Sequence, residues 1–100
     1  MEIVQNSNTP SIVTSAGTVI ASRITSGGRR GWAIQNVGQN PVFIRMGDTA
    51  SSTVFHKVLK AGTADSDGLG GSYEELNGAV FQGLISIAGT TPKIVVLEYI

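Results

Sequence analysis

The chain has 100 residues, of which 41% are hydrophobic and only 14% are charged. This length suits one domain, and 13 glycines with few charges favour short strands joined by tight turns over long helices. Seven basic residues balance seven acidic ones. The chain therefore has no net charge to attract nucleic acid or an anionic membrane, and the sequence predicts neither as a partner.

Absent residue types and segments exclude further classes of protein. There is no cysteine, so disulfides and thiolate zinc sites are excluded. No apolar run has the length needed to span a bilayer, and the first residues, MEIVQN, lack the basic and apolar stretches of a signal peptide. The sequence therefore predicts a protein that stays in the cytoplasm until it is assembled or released.

Two regions differ in character: residues 1–17 are predicted to form an extended N-terminal arm, and residues 18–100 a β-domain. The arm is rich in Ser, Thr and Asn, and Pro10 cannot donate in a central strand ladder. Its few apolar residues are too small an area to order it against its own domain, so we expect the arm to bind another subunit or another protein. The predicted partner-binding residues are Ile3, Val4, Ile12 and Val13.

The β-domain shows short runs of β-branched and aromatic residues separated by Gly, Asn and Pro. About seven such runs at turn-punctuated spacing predict an all-β fold, a small antiparallel β-sandwich or barrel. The predicted strands lie at 18–25, 29–36, 41–46, 53–59, 73–76, 79–88 and 92–99.

Two hairpins are predicted. Residues 29–36 and 41–46 alternate in polarity and are joined by a short loop, so Trp32 and Ile34 should be buried with Val42 and Ile44 across this hairpin.

Asn77-Gly78 predicts the second hairpin, because both positions tolerate positive φ. The last strand, 92–99, is apolar on both faces, which indicates a central or doubly covered position.

No group of residues predicts catalysis or a cofactor. The chain has one histidine, His56, and no Gly-x-Ser-x-Gly motif. Asp65 and Asp67 resemble the start of a calcium loop, but the later ligand positions do not fit the EF-hand pattern, so a solvated loop is the simpler interpretation and a cation site stays an alternative. Arg29-Arg30 beside Trp32 would suit single-stranded nucleic acid only if more basic residues accompanied them.

The segment at 29–47, RRGWAIQNVGQNPVFIRMG, resembles a segment of small β-sandwich structural proteins of tailed bacteriophages. The shared pattern is a basic start, an alternating strand ending in Gln-Asn, a short turn, Asn-Pro-Val and a strand ending in Gly. Asn77-Gly78 and the two strands that follow are similar in layout to the second half of such proteins.

This resemblance implies a virion structural protein assembled in the host cytoplasm, with no catalytic residues to carry over. The residues themselves predict no cofactor and no metal. Its implied role is capsid decoration, as a cement protein bound to the major capsid protein or another virion protein. It further implies a homo-oligomer, with a trimer favoured. Two alternatives stay open: a tail, head–tail or fibre adaptor, and a carbohydrate-binding module that would need exposed aromatic rings on one sheet face.

Overall fold

Alternating apolar residues place short strands through most of the chain. A computed structural model describes residues 10–76 and 78–100, and within these ranges the fold is all-β, with eight strands and no helix. Accordingly, no helix in the described residues is long and apolar enough to cross a membrane. The strands are β1 (Ser11–Val13), β2 (Gly17–Ile20), β3 (Gly31–Asn36), β4 (Val42–Met46), β5 (Lys57–Leu59), β6 (Ser72–Leu76), β7 (Ile85–Ala88) and β8 (Ile94–Tyr99).

The strands form two four-stranded sheets that enclose the core as a sandwich. Sheet A has the order β1-β8-β3-β6, and sheet B the order β2-β7-β4-β5, with every neighbouring pair antiparallel. The last strand, β8, lies between β1 and β3, as its two apolar faces predict. The all-β prediction is confirmed.

Both predicted hairpins are wrong. The strand β3 lies in sheet A and β4 in sheet B, and β6 pairs with β3 while β7 pairs with β2 and β4. The links after Asn36 and Leu76 therefore carry the chain from one sheet to the other. Alternation shows which face of a strand is buried, but both arrangements bury the same face, so it does not reveal the pairing partner.

The core lies between the sheets and contains the residues that alternation points inward. Trp32 is fully buried, and its indole nitrogen donates a 2.9 Å hydrogen bond to Oε1 of Glu75 at the edge of the core. The second carboxylate oxygen of Glu75 accepts from the Tyr73 hydroxyl at 3.1 Å. The buried cluster consists of Ile20, Trp32, Ile34, Val42, Ile44, Leu59, Ile85, Ile87, Ile94 and Val96.

Part of the predicted arm lies within the sandwich. Ser11–Val13 pair with β8, and Gly17 begins β2. Val13 packs against the core, whereas Ile12 points outward and is 59% exposed. Within the described residues the sandwich thus begins at residue 11, earlier than the predicted boundary at 18. The physical reason is that β8 offers a sheet edge to which this short segment can bond.

Candidate interaction surfaces

The outer face of sheet A carries apolar side chains where a solvent-facing sheet would carry polar ones. Ala33 and Gln35 alternate outward on β3 and lie opposite Leu97 and Val95 of β8. Beside them, on β6, lie Glu74 and Ser72. Together these strands form an open groove of about 510 Å³. The residues that line this sheet A groove are Ala33, Ile34, Gln35, Ser72, Tyr73, Glu74, Val95 and Leu97.

The charge of the groove is concentrated at one side. Among the lining residues only Glu74 is ionisable at neutral pH, and it is exposed on the edge strand β6. Ile12 lies opposite Val95 on the other edge and extends the apolar surface there. The outer face of sheet A is thus apolar along β1 and β8 and polar at Gln35 and along β6, a mixture that suits contact with another protein segment.

A second apolar surface lies on the outer face of sheet B. The rings of Phe43 and Phe55 are 5.1 Å apart and tilted by 55°. Val58 lies opposite Phe43 in the sheet, and Val54, Phe55 and Val58 are each between 41% and 46% exposed. We call these residues the sheet B patch: Phe43, Val54, Phe55 and Val58.

The rest of the sheet B face is partly covered by the segment that follows β4. The buried hydroxyl of Ser86 accepts a 2.9 Å hydrogen bond from the Ala50 amide and donates a 2.7 Å bond to the Gly47 carbonyl. Arg45, on the same face, donates a 3.3 Å hydrogen bond to the Thr49 carbonyl. These bonds hold the segment against β7, so the exposed apolar area is confined to the patch.

The four predicted partner-binding residues do not share one position. Ile12 is exposed beside the sheet A groove, whereas Val13 packs against the core of its own domain. Ile3 and Val4 lie outside the described residues. Sequence reasoning did not nominate Val95 and Leu97 as binding residues, although the two apolar faces of the last strand were the available signal.

The aspartate loop has a well-defined hydrogen-bond network. Asp67 accepts from the amides of Leu69, Ala64 and Thr63 at 2.8–2.9 Å and from the Thr63 hydroxyl at 2.9 Å. The bonds from the Leu69 and Ala64 amides, followed by the Thr63 hydroxyl, lower the pKa of Asp67 to about 2. The Asp67 carboxylate therefore closes its own loop.

Asp65 lies in the same loop and has partners of its own. A 3.1 Å hydrogen bond from Gln39 and the ammonium of Lys93, 3.5 Å away, lower the pKa of Asp65. No group of three or more His, Asp or Glu side chains in the described residues could hold a metal ion.

The basic and histidine positions that drew attention in the sequence have local structural contacts. The Arg29 side chain is fully buried, and Trp32 beside it is also buried, so neither offers a nucleic-acid surface. His56 is exposed, and its Nδ1 accepts a 3.1 Å hydrogen bond from the Met46 amide.

A carbohydrate platform would need several exposed rings on one face. Trp32 is buried, and Tyr73 and Phe81 pack against the core. Phe43 and Phe55 contact each other at a tilted angle rather than forming a flat platform. The described aromatic residues therefore give no support to sugar binding.

The described residues form a small all-β sandwich with apolar side chains on both of its outer faces. No family model matches the chain. No curated protein is found to be similar to it. A search of solved structures likewise finds no match.

Proposed function

We propose that this protein is a virion structural protein of a tailed bacteriophage and that it decorates the capsid. The observation that carries the proposal is that apolar side chains lie on both outer faces of the sandwich, half-buried in the sheet A groove and more exposed in the sheet B patch. A module with two such faces can contact two neighbours at once, as a component of a regular shell must. The resemblance at 29–47 supports the choice of a phage particle.

The exposed apolar side chains of the sheet B patch would contribute to association. Fully burying a Val, Leu, Ile or Phe side chain stabilises an assembly by about 1.5–3 kcal/mol. Phe55, Val54 and Val58 are already more than half buried, at 41–46% exposed, so burying the remainder would contribute about 2–4 kcal/mol in total before the loss of rotational freedom is counted. Many equivalent copies on one particle would add to this through multivalent attachment.

The proposed partners are a second copy of this chain and the major capsid protein or another virion protein. The proposed partner-binding residues of the N-terminal region are Ile3, Val4 and Ile12, since Val13 packs against its own core. A homo-oligomer, with a trimer favoured, would be the unit that binds the particle. A tail, head–tail or fibre adaptor would use the same surfaces, so the position of the protein in the particle separates the two roles.

A particle-composition experiment tests this proposal. Heads and tails of purified particles are separated and their proteins quantified by mass spectrometry. We expect the protein in the head fraction, in a constant ratio to the major capsid protein. Finding it only with tails would replace decoration by the adaptor role, and its absence from all particles would contradict the proposal.

An add-back experiment tests the surface. Heads that lack the protein are mixed with the wild-type protein or with Phe55→Asp, and bound protein is measured after sedimentation. We expect Phe55→Asp to bind at least about tenfold more weakly, because a charge would enter the buried centre of the contact. Leu69→Asp, on an exposed loop outside both surfaces, is the matched control and should bind like wild type.

A further inference from the structure

We infer that the sheet A groove binds residues 1–9 of a second copy of this chain. The inference rests on the proposed function only in taking the protein to be a homo-oligomer. It names the surface that receives the N-terminal segment, which the proposed function leaves open.

The groove has the shape and chemistry of a site for an extended peptide. It runs beside β3 and β8, each of six residues, and is therefore about 20 Å long at 3.3 Å per residue. Val95 and Leu97 are outward positions two residues apart, about 7 Å along the strand. Gln35 and Ser72 beside them offer hydrogen-bonding side chains to a peptide backbone.

Residues 1–9, MEIVQNSNT, match that chemistry. Met1 and Ile3 are two residues apart, so in an extended segment they share one face at the same spacing as Val95 and Leu97. The remaining residues are mostly polar and can stay in water. A short β-branched apolar group with polar neighbours is the composition expected of a segment that lies in an open apolar groove.

The place where the segment joins the sandwich favours a neighbour's groove over its own. Ser11 lies opposite Val96 at the edge of sheet A, so continuing the direction of β1 backwards leads alongside Glu98 and past the end of the groove. Entry into its own groove requires the chain to reverse within these nine residues, which uses part of their length. An adjacent copy can accept the whole segment, which reaches about 30 Å when extended.

Direct packing of two sheet A faces is a weaker way to join two copies than exchange of the N-terminal segment. Four strands at 4.8 Å spacing and about 20 Å in length offer a face of roughly 300 Å² per copy. Stable interfaces bury about 600 Å² or more on each partner, so the bare faces are too small. An exchanged segment supplies the additional contact. Because each copy donates one segment and accepts one, the exchange can close into a symmetric ring.

The test is a complementation experiment with two variants. The first lacks residues 2–9, a deletion that removes none of the eight strands. The second, Leu97→Asp, keeps the segment but places a charge in the groove. We expect light scattering after size-exclusion chromatography to show an oligomer for wild type and monomers for each variant alone. A 1:1 mixture of the two variants should form a heterodimer near twice the chain mass of 10.4 kDa, because each supplies what the other lacks.

Controls separate this result from misfolding. Both variants should keep a cooperative thermal transition, and if Leu97→Asp does not fold, Ala33→Trp fills the groove without adding a charge. Leu69→Asp should remain an oligomer like wild type. A monomeric wild type, an oligomer that survives deletion of residues 2–9, or variants that stay monomeric when mixed would each overturn the inference. The particle-composition experiment tests the proposed function independently, since a protein found in heads can still fail to exchange its segment.

Discussion

The most informative stability prediction concerns Arg29, a buried guanidinium that ties three parts of the sandwich together. Its Nε donates a 2.9 Å hydrogen bond to Glu98 on β8. Its Nη2 donates to the carbonyls of Ala21 and Gly83 at 2.7 Å and 3.1 Å, and its Nη1 donates to the Phe81 carbonyl. Replacing Arg29 by methionine keeps the aliphatic stem and removes all four bonds.

The expected loss follows from burial. The Arg29 side chain is fully buried, and removal of one partner from a buried ion pair destabilises a protein by about 3–5 kcal/mol. Glu98 keeps the two bonds from Arg23, at 3.0 and 3.1 Å, so the remaining carboxylate is not left alone. We therefore expect about 3 kcal/mol, and a melting temperature lower by at least about 12 °C for a domain of this size.

Urea denaturation followed by circular dichroism measures this loss. Arg29→Lys should recover little of it, because one ammonium cannot reach acceptors on several sides. Arg45→Met is the control: Arg45 makes a single 3.3 Å bond near the surface, and its loss should cost below about 1 kcal/mol. A loss of unfolding free energy below 1 kcal/mol for Arg29→Met, with an unchanged denaturant slope, would refute the view that this guanidinium holds together the links after β2 and β6, which run between the two sheets.

Three further predictions concern the core, a close backbone contact and pH. Ile34→Ala should lower the free energy of unfolding by about 2–5 kcal/mol, since Ile34 is 1% exposed; a loss below about half a kcal/mol in the same urea assay would contradict this. Gly70→Ala should destabilise by more than the 1–3 kcal/mol typical of overpacking, because a Cβ there would overlap the Asn36 carbonyl oxygen. Gly68→Ala is the control: its Cβ meets open space, and the substitution should cost only about 1–3 kcal/mol for the positive φ. Equal melting temperatures for the two variants would rule out the close contact at Gly70. The pKa of Asp67 is lowered from 3.8 to about 2, so between these values the unfolded chain binds more protons than the folded one, and the stability that Asp67 contributes should be lost as pH falls through that window. Asp67→Asn should flatten the stability profile there, and an identical profile would contradict the role of this carboxylate.

The buried residues could be predicted from the sequence, because alternation is a local property of each strand. Trp32 and Ile34 on β3, and Val42 and Ile44 on β4, are buried as their alternation indicates. The central position of β8 was also predictable, since a strand with two apolar faces is disfavoured at an edge.

The pairing of those strands was decided only by the tertiary structure. Trp32 and Val42 belong to one buried cluster but lie in opposite sheets rather than in a hairpin, because β3 bonds to β8, more than 50 residues later in the chain. Local turn residues such as Gly78 permit a reversal of the chain but do not determine which sheet the next strand joins. That choice depends on which arrangement buries all the inward faces together, a property of the whole chain.

The same reason explains how far the surfaces could be foreseen. The outward apolar residues Val95 and Leu97 were visible in the sequence, but Ala33 and Glu74 become their neighbours only through long-range pairing. The burial of Arg29 had no sequence signal, because a charged residue is normally exposed. It is buried because the links after β2 and β6 come together there. Their carbonyls need hydrogen-bond donors, which a guanidinium supplies and an apolar side chain does not.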